Sequence, residues 1–287
     1  MKALSYINKA VKIFFLAFIA WLVLHLFFFQ VLYVDSGSMQ NSLFEGDYIV
    51  VNKLAYGARL PITPLSLPFS NSTSYLNWIH LPYMRIPGYS QIKRNDVIVF
   101  NLPTDDKVPV DERELYIKRC VALPGDTMRI DGGKIFINNK VQDETGTQTK
   151  ITVSAKNFYN PNFFPNNPRF HWNLDYFGPI IIPKKGDSVK LTIDNLDLYR
   201  RIIEKYENNK LEIKGLNIYI NSKKSNSYTF KMNYYFTLGD NRHNSIDSRY
   251  WGFVPEDHII GRASMIAYSK AIDTAAIKTH RAFSFIK

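Results

Sequence analysis

The chain has 287 residues, 46% of them hydrophobic and 15% aromatic, with 36 Lys and Arg against 25 Asp and Glu. These values exclude a disordered or fibrous chain and, at roughly 100–200 residues per domain, allow one large domain or two modest ones. The single cysteine, Cys120, excludes an intramolecular disulfide, a cysteine-rich zinc site and an iron–sulfur cluster held by this chain alone, leaving oxygen and nitrogen side chains for any chemistry.

Residues 13–34 carry no formal charge, with His25 and Gln30 as the strongly polar interruptions. As a helix this run reaches about 33 Å, enough to cross a hydrocarbon core of about 30 Å. Lys2, Lys9 and Lys12 precede it and the next basic residue is Lys53, so the excess of positive charge places the amino terminus, residues 1–12, in the cytoplasm. The expectation is a retained single-pass anchor with everything after Val34 outside. A cleaved secretory signal would have an apolar stretch of about 7–15 residues ending in an A-x-A-like site. The sequence VLYVDSGSM that follows has no such site.

Beyond the anchor, β-branched and aromatic runs recur between turn signals at 48–52, 96–102, 116–123 and 134–141. Segments 180–182, 189–193, 211–213, 216–220 and 228–238 continue the pattern. One stretch, 195–207, has helical spacing at Leu196, Tyr199, Ile202, Ile203 and Tyr206, with Asp194 as its expected cap. The fold is therefore expected to be mainly β. Residues 60–91, rich in proline and aromatics, read as an irregular ordered extension, and 157–179 as a structured insertion.

Three polar segments interrupt this pattern. Asp35-Ser36-Gly37-Ser38-Met39 sets two hydroxyls close to the anchor, although Gly and Ser favour turns for backbone reasons alone. In an extended segment 116–126, Tyr116, Lys118 and Cys120 share one face and Ile117, Arg119 and Val121 the other, surrounding the Lys118 amine with apolar neighbours. Taken alone, Lys118 reads as a solvated or snorkelling strand residue. The third segment, Gly239 to Pro255, is dense in Asp, Asn, Arg and Ser and then turns aromatic, as a loop stapled by Asp/Arg pairs would be.

In this order, SGSM at 36–39, GDYIVVNK at 46–53, YIKRCVALPGD at 116–126 and GDNRHNSIDSRYWGFVP at 239–255 resemble the motifs of bacterial type I signal peptidases, membrane-anchored Ser/Lys-dyad serine proteases. The resemblance covers 36–54, 94–126 and 237–263. It implies an antiparallel β catalytic core over 35–126 and 237–270, a β-rich cap inserted at 127–236, a transmembrane anchor at 13–34 and a basic tail at 271–287. It also implies an endopeptidase of the bacterial cytoplasmic membrane that removes signal peptides from exported preproteins after small residues. Ser38 would be the nucleophile and Lys118 the general base, with the Ser38 backbone N–H and the Ser36 hydroxyl as oxyanion donors. Ser245 would orient the Lys118 amine, and Asp240, Arg242, Asp247 and Arg249 would support the site. Substrate pockets are sought in 35–39 and 96–100. The implied partners are signal peptides of translocated preproteins and the bilayer, with no metal, cofactor or nucleic acid.

The chain departs from the family pattern at Asp35, where proline is common, at Asn41 and Ser42, where Pro-Thr is common, and at His243, where aspartate is frequent. Cys120 reads as a small buried hydrophobe, since no histidine is placed to activate it, and Met39 equally as core filler or as a substrate-side contact. A cytosolic self-cleaving repressor of similar β core would not open with a membrane span. A catalytically dead relative would lack Ser38 or Lys118. After the three anchor lysines are set aside, 33 basic and 25 acidic residues remain, an excess that suits an anionic lipid surface better than nucleic acid.

Overall fold

The computed structural model describes residues 2–66, 75–76, 78–143, 154–156, 159–270 and 281–286. The expected extension at 60–91, the insertion at 157–179 and the tail at 271–287 thus lie partly outside the described residues.

The amino-terminal helix α1 (Lys2–Phe27) includes a 22-residue stretch, Tyr6–Phe27, with mean hydropathy 2.3, long and apolar enough to cross a membrane. The span expected at 13–34 is therefore displaced toward the amino terminus. Its last residues leave the helix and form strand β1 (Phe29–Tyr33), which pairs antiparallel with β2 (Asp47–Asn52) from Phe29 opposite Asn52 to Tyr33 opposite Tyr48. Phe-Gln-Val-Leu-Tyr suits a pleated, half-buried strand as well as it suits a helix, and partnership with β2 decides the matter. Lys53 closes the junction, its Nζ donating to the His25 carbonyl at 2.8 Å and its backbone N–H to the Phe28 carbonyl at 2.9 Å. A cation is well placed at the exposed carbonyls of a helix end.

The body continues through β3 (Val97–Asn101), β4 (Leu115–Ala122), β5 (Thr127–Asp131), β6 (Lys134–Ile137), β7 (Lys140–Val141), β8 (Tyr176–Ile181) and β9 (Ser188–Lys190). After helix α2 (Leu196–Arg201) come β10 (Leu211–Lys214), β11 (Asn217–Ile220), β12 (Lys223–Lys224), β13 (Ser227–Thr229) and β14 (Tyr234–Leu238). A short helix α3 (Ser248–Trp251) precedes β15 (Val254–Pro255), β16 (Ile259–Ser269) and β17 (Ser284–Phe285). The main sheet has the order β1-β2-β16-β3-β4-β14-β15, with β17 added to β16. The inserted region forms a second sheet, β7-β6-β5-β8, a three-stranded sheet, β10-β11-β12, and the pair β13-β9.

The expected strands at 134–141 and 228–238 each divide in two. Asn138 and Asn139 take φ of 51° and 67°, turning the first into the hairpin β6–β7. The expected helix at 195–207 is α-helical over α2 and then widens into one π turn, Ile202–Tyr206. Asn195, not Asp194, precedes its first turn. The Asn195 side chain accepts from the Thr192 N–H and donates to the Lys190 carbonyl, while Asp194 pairs outward with Arg169. The eleven-residue β16, with glycine, arginine and serines among its apolar residues, escapes recognition from sequence. It is nonetheless an interior strand of the sheet, paired to both β2 and β3.

The sheet has apolar clusters on both faces. Val97, Val99, Ile49, Val51 and Ala263 pack with Met39 and Leu43, and Ile98, Phe100 and Cys120 pack with Trp251 and Val254. A third cluster joins Val121, Ala122 and Phe236 of the main sheet, with Phe253 just before β15, to Met128, Phe177, Leu196 and Ile203 of the inserted region. The insertion thus shares buried surface with the strands that carry residues 118–122 and 236–238.

Candidate active site

Val34 and Gly46 close the β1–β2 connection, the Gly46 N–H donating to Val34 and the Val34 N–H to Asp47. Between them the chain turns through one 3-10 turn, Gly37–Met39, and returns through hydrogen bonds from the Ser42 and Leu43 N–H groups to the Met39 carbonyl. Met39 is buried in the core cluster, so it fills the core. Asn41 takes φ of 97°. Proline cannot adopt that conformation and asparagine tolerates it, which accounts for the departure at this position.

Strand β4 brings Lys118 and Arg119 to this turn, both almost wholly buried. The Lys118 Nζ donates to Ser38 Oγ at 2.8 Å and to the Ile117 carbonyl at 3.0 Å, and lies 5.3 Å from the centroid of the Tyr116 ring. Burial lowers its pKa to about 8, against the opposing pull of Asp247, Asp240 and Asp35. Ser36 Oγ lies 3.2 Å from Ser38 Oγ on the exposed side. Cys120, on the same face of β4 as Lys118, is fully buried, and burial raises its thiol pKa.

Two bidentate ion pairs surround this contact. Arg119 Nε and Nη2 donate to Asp240 Oδ1 and Oδ2 at 2.7 and 2.6 Å. Arg249 Nε and Nη2 donate to Asp247 Oδ1 and Oδ2 at 2.9 and 2.7 Å. Asp247 also caps α3 through the Arg249 N–H and accepts from the Gly239 N–H at 3.0 Å. Burial pushes the Asp247 carboxyl up, but the Arg249 charge and these hydrogen bonds outweigh it and hold the group below its ordinary pKa. Arg242 Nε donates to the Gly239 carbonyl and its own carbonyl accepts from Arg249, so Asp247, Arg249 and Arg242 fix one loop.

Ser245 departs from its expected role. Its Oγ is buried without a hydrogen-bond partner among the described residues, and no bond to Lys118 forms. It sits against Gly239, where a Cβ would lie 2.1 Å from Ser245 Oγ and 2.6 Å from the Ser38 carbonyl oxygen. Glycine at 239 is therefore required for the Gly239–Trp251 loop to approach the Ser38 turn.

Four further residues hold the site together, and sequence reasoning gave no role to three of them and only a departure at the fourth. Arg119 was read as the far face of a strand, although its motif position beside Lys118 was visible. Ser42 Oγ donates to Asp240 Oδ2 at 2.5 Å and accepts from Arg119 Nη2 at 2.9 Å, so the hydroxyl is the part of this residue that matters. Asn241 donates its backbone N–H to the Ser38 carbonyl and its side-chain amide to the Gly37 carbonyl, both at 3.0 Å. Asp175, from the inserted region, lies 3.0 Å from His243 Nε2. Beside it Arg249 Nη1 donates to the Leu174 carbonyl and the Phe164 N–H to the Arg249 carbonyl. The insertion is thus bonded directly to the Gly239–Trp251 loop. No group of three or more His, Cys, Asp or Glu with metal-binding arrangement occurs among the described residues.

A desolvated amine held on a serine hydroxyl can remove that hydroxyl's proton, which is the chemistry of a hydrolase working through an activated serine. The family model for "Signal peptidase, peptidase S26" matches residues 7–268. A signal peptidase I of Buchnera aphidicola subsp. Acyrthosiphon pisum is 30% identical over 272 residues, covering 91% of this chain and 75% of the relative. One from Buchnera aphidicola subsp. Schizaphis graminum is 32% identical over 257 residues, covering 85% and 69%. One from Pseudomonas aeruginosa is 28% identical over 269 residues, covering 88% and 69%. A solved signal peptidase I from Enterococcus faecalis V583 is 21% identical, covers 60% of this chain and 97% of its own, and has a TM-score of 0.27, too slight a likeness to carry anything further. The chain belongs to the signal peptidase family, peptidase S26, and is a serine endopeptidase of signal peptide processing.

Two outcomes follow from the buried charges. Arg119→Met leaves the Asp240 carboxylate buried without its ion pair and should cost about 3–5 kcal/mol in a denaturant melt. Lys118→Met should act oppositely. With a folded pKa near 8 against 10.5 unfolded, the unfolded state binds more protons between these values, so stability rises with pH across that window. Below pH 8 the cost of burying the charged amine is fully present. Lys118→Met should therefore stabilise the fold by up to about 3 kcal/mol at pH 7, and the gain should vanish as pH passes 10.5.

Proposed function

We propose that this enzyme cleaves preproteins after small residues at the first and third positions before the scissile bond, using Ser38 as nucleophile and Lys118 as general base. The observation that carries the reading is the 2.8 Å contact between Ser38 Oγ and a Lys118 amine that is 3% exposed. In the neutral amine the direction of this hydrogen bond reverses: the Ser38 hydroxyl donates to the Nζ lone pair.

As Ser38 Oγ attacks the scissile carbonyl carbon, its proton passes to Lys118 Nζ and the carbonyl π electrons move onto oxygen. Collapse of that oxyanion breaks the C–N bond, and Lys118 returns the proton to the leaving amine, which is the new amino terminus of the mature protein. Water then gives a proton to the neutral Lys118 and attacks the Ser38 ester; as the C–Oγ bond breaks, Lys118 returns that proton to Ser38 Oγ, releasing the signal peptide with a free carboxyl group and restoring the serine hydroxyl and the neutral amine. The Ser38 N–H and the Ser36 hydroxyl receive the oxyanion. Their support is positional: N–H groups in a helix's first turn lack intrahelical partners, and Ser36 Oγ lies 3.2 Å from the attacking oxygen. Asp240, Arg242, Asp247 and Arg249, with Arg119, keep the turn and the base in register.

The active site stands a few residues beyond α1 and β1, so a single-pass anchor in the bacterial cytoplasmic membrane, amino terminus inside, would hold it beside translocated signal peptides. Residues 35–126 and 237–270 form the catalytic core in this reading, and 127–236 an inserted cap that braces it. Residues 35–38 stand at the approach of an extended substrate, whereas 97–100, where pockets are also sought, are buried in the sheet's core clusters with β3 paired on both edges.

Membranes carrying the enzyme should cleave a synthetic preprotein with an A-x-A site, and Ser38→Ala and Lys118→Ala should each abolish cleavage while leaving the fold intact by circular dichroism. Cleavage retained in either variant would remove that residue from the mechanism. Ser36→Ala should lower kcat by about 10²–10³-fold, the usual cost of one oxyanion donor. Because the base acts only when neutral, kcat/KM should rise with pH to a midpoint near 8 and then level. A kcat/KM that shows no rise through pH 8 would remove Lys118 as the base.

A further inference from the structure

The described carboxy-terminal residues, 281–286, lie against the turn that carries Ser38. Strand β16 is paired to β3 only as far as Arg262, which leaves the following edge open. Strand β17 fills it, with Ser284 opposite Ile266 and Phe285 opposite Met265, and the Ile286 N–H donates to the Ser264 carbonyl. Ile286 packs on the cluster that contains Met39 and Leu43. Arg281, at the start of this segment, donates through Nη2 to the Ser42 carbonyl at 2.8 Å and to Asp47 Oδ2 at 2.9 Å. Its guanidinium carbon lies 4.4 Å from the centroid of the Phe44 ring. It therefore touches residues 42, 44 and 47, on the downstream side of the nucleophile turn.

We propose that Arg281 is a positioning residue for the proteolytic reaction, and that residues 281–286 form a clasp that fixes the Ser38 turn against the base. This inference rests on the reading of Ser38 and Lys118 as nucleophile and base. The path is short. Arg281 holds the Ser42 carbonyl, and the Ser42 hydroxyl bonds Asp240 Oδ2 and Arg119 Nη2, so it ties the turn to the strand bearing Lys118. The Ser42 N–H returns to the Met39 carbonyl, one residue from Ser38. With Ser38 Oγ and Lys118 Nζ at hydrogen-bond distance, a loosened turn removes the alignment that proton transfer needs. Small displacements of reacting groups by distant changes can cost about 10²-fold in rate.

Arg281 also neutralises Asp47, which is fully buried and accepts hydrogen bonds from the Phe44 N–H and Ser269 Oγ. Removing Arg281 alone could therefore unfold the protein through an unpaired carboxylate, so the informative variant is Arg281→Ala combined with Asp47→Asn in the full-length membrane enzyme. Two readouts are needed: preprotein cleavage resolved into kcat and KM, and hydrogen exchange of the Ser42 and Leu43 amides. The expected result is a fall in kcat of tenfold or more with KM within about twofold, exchange at least tenfold faster, and a melting temperature close to that of Asp47→Asn alone. Arg281→Lys, which keeps the charge but not the planar fork, should recover part of the loss. Unchanged exchange, or unchanged kcat with the fold intact, overturns the clasp. Failure of the underlying reading has a different signature, namely cleavage retained in Ser38→Ala, and in that case the amide exchange still decides whether the turn is held by Arg281.

Discussion

The constraint on which the site depends is the removal of the Lys118 amine from water. Desolvation is the one influence that lowers its pKa, and the three carboxylates that act on it, Asp247, Asp240 and Asp35, all pull the other way. Asp240 and Asp247 are tolerable neighbours because each is saturated by an arginine in bidentate geometry and by further donors. Without those arginines two buried carboxylates would face the amine and stabilise its charged form. The ion pairs therefore do two things: they compensate their own burial, and they keep the field at Lys118 weak enough for desolvation to prevail.

This arrangement explains why the supporting residues come from segments so far apart in sequence. Strand β4 supplies both Lys118 and Arg119, on opposite faces, so the register of one strand places both the buried amine and an arginine of the supporting ion pairs. The loop from Gly239 to Trp251 supplies both carboxylates and holds the Ser38 turn through Asn241. That loop is in turn bonded to the inserted region at Asp175, Leu174 and Phe164. The insertion is accordingly part of the support of the site, and its apolar cluster is continuous with strands β4 and β14.

Much of this was legible in the sequence because the chemistry sits in contiguous motifs. Ser38, Lys118 and the Asp/Arg pair at 247 and 249 stand out through the resemblance of their motifs to a known family, since each segment taken alone reads as an ordinary turn, strand or stapled loop, whereas the alternation along 116–121 by itself points to an apolar environment for the amine. What could not be read were contacts set by tertiary pairing. Asp240 finds Arg119 across 121 positions, and Asp175 finds His243 across 68. The end of the anchor was misplaced for a similar reason. Residues 29–33 continue the uncharged run of the helix before them, and pairing with β2 makes them a strand. Strand β16 was missed because its mixed composition does not alternate, being buried by neighbours on both sides. Ser245 shows the converse error: a motif position can be matched correctly while the hydrogen bond expected of it is absent.

The central claim is that Lys118 is neutral at a pH where lysines are ordinarily charged. Its most direct test is NMR titration of the Lys118 side chain, assigned by comparison with Lys118→Met, in the full-length enzyme carrying specifically labelled lysine. A midpoint near 8 is predicted, and titration near the ordinary lysine value of about 10.4 would contradict the account.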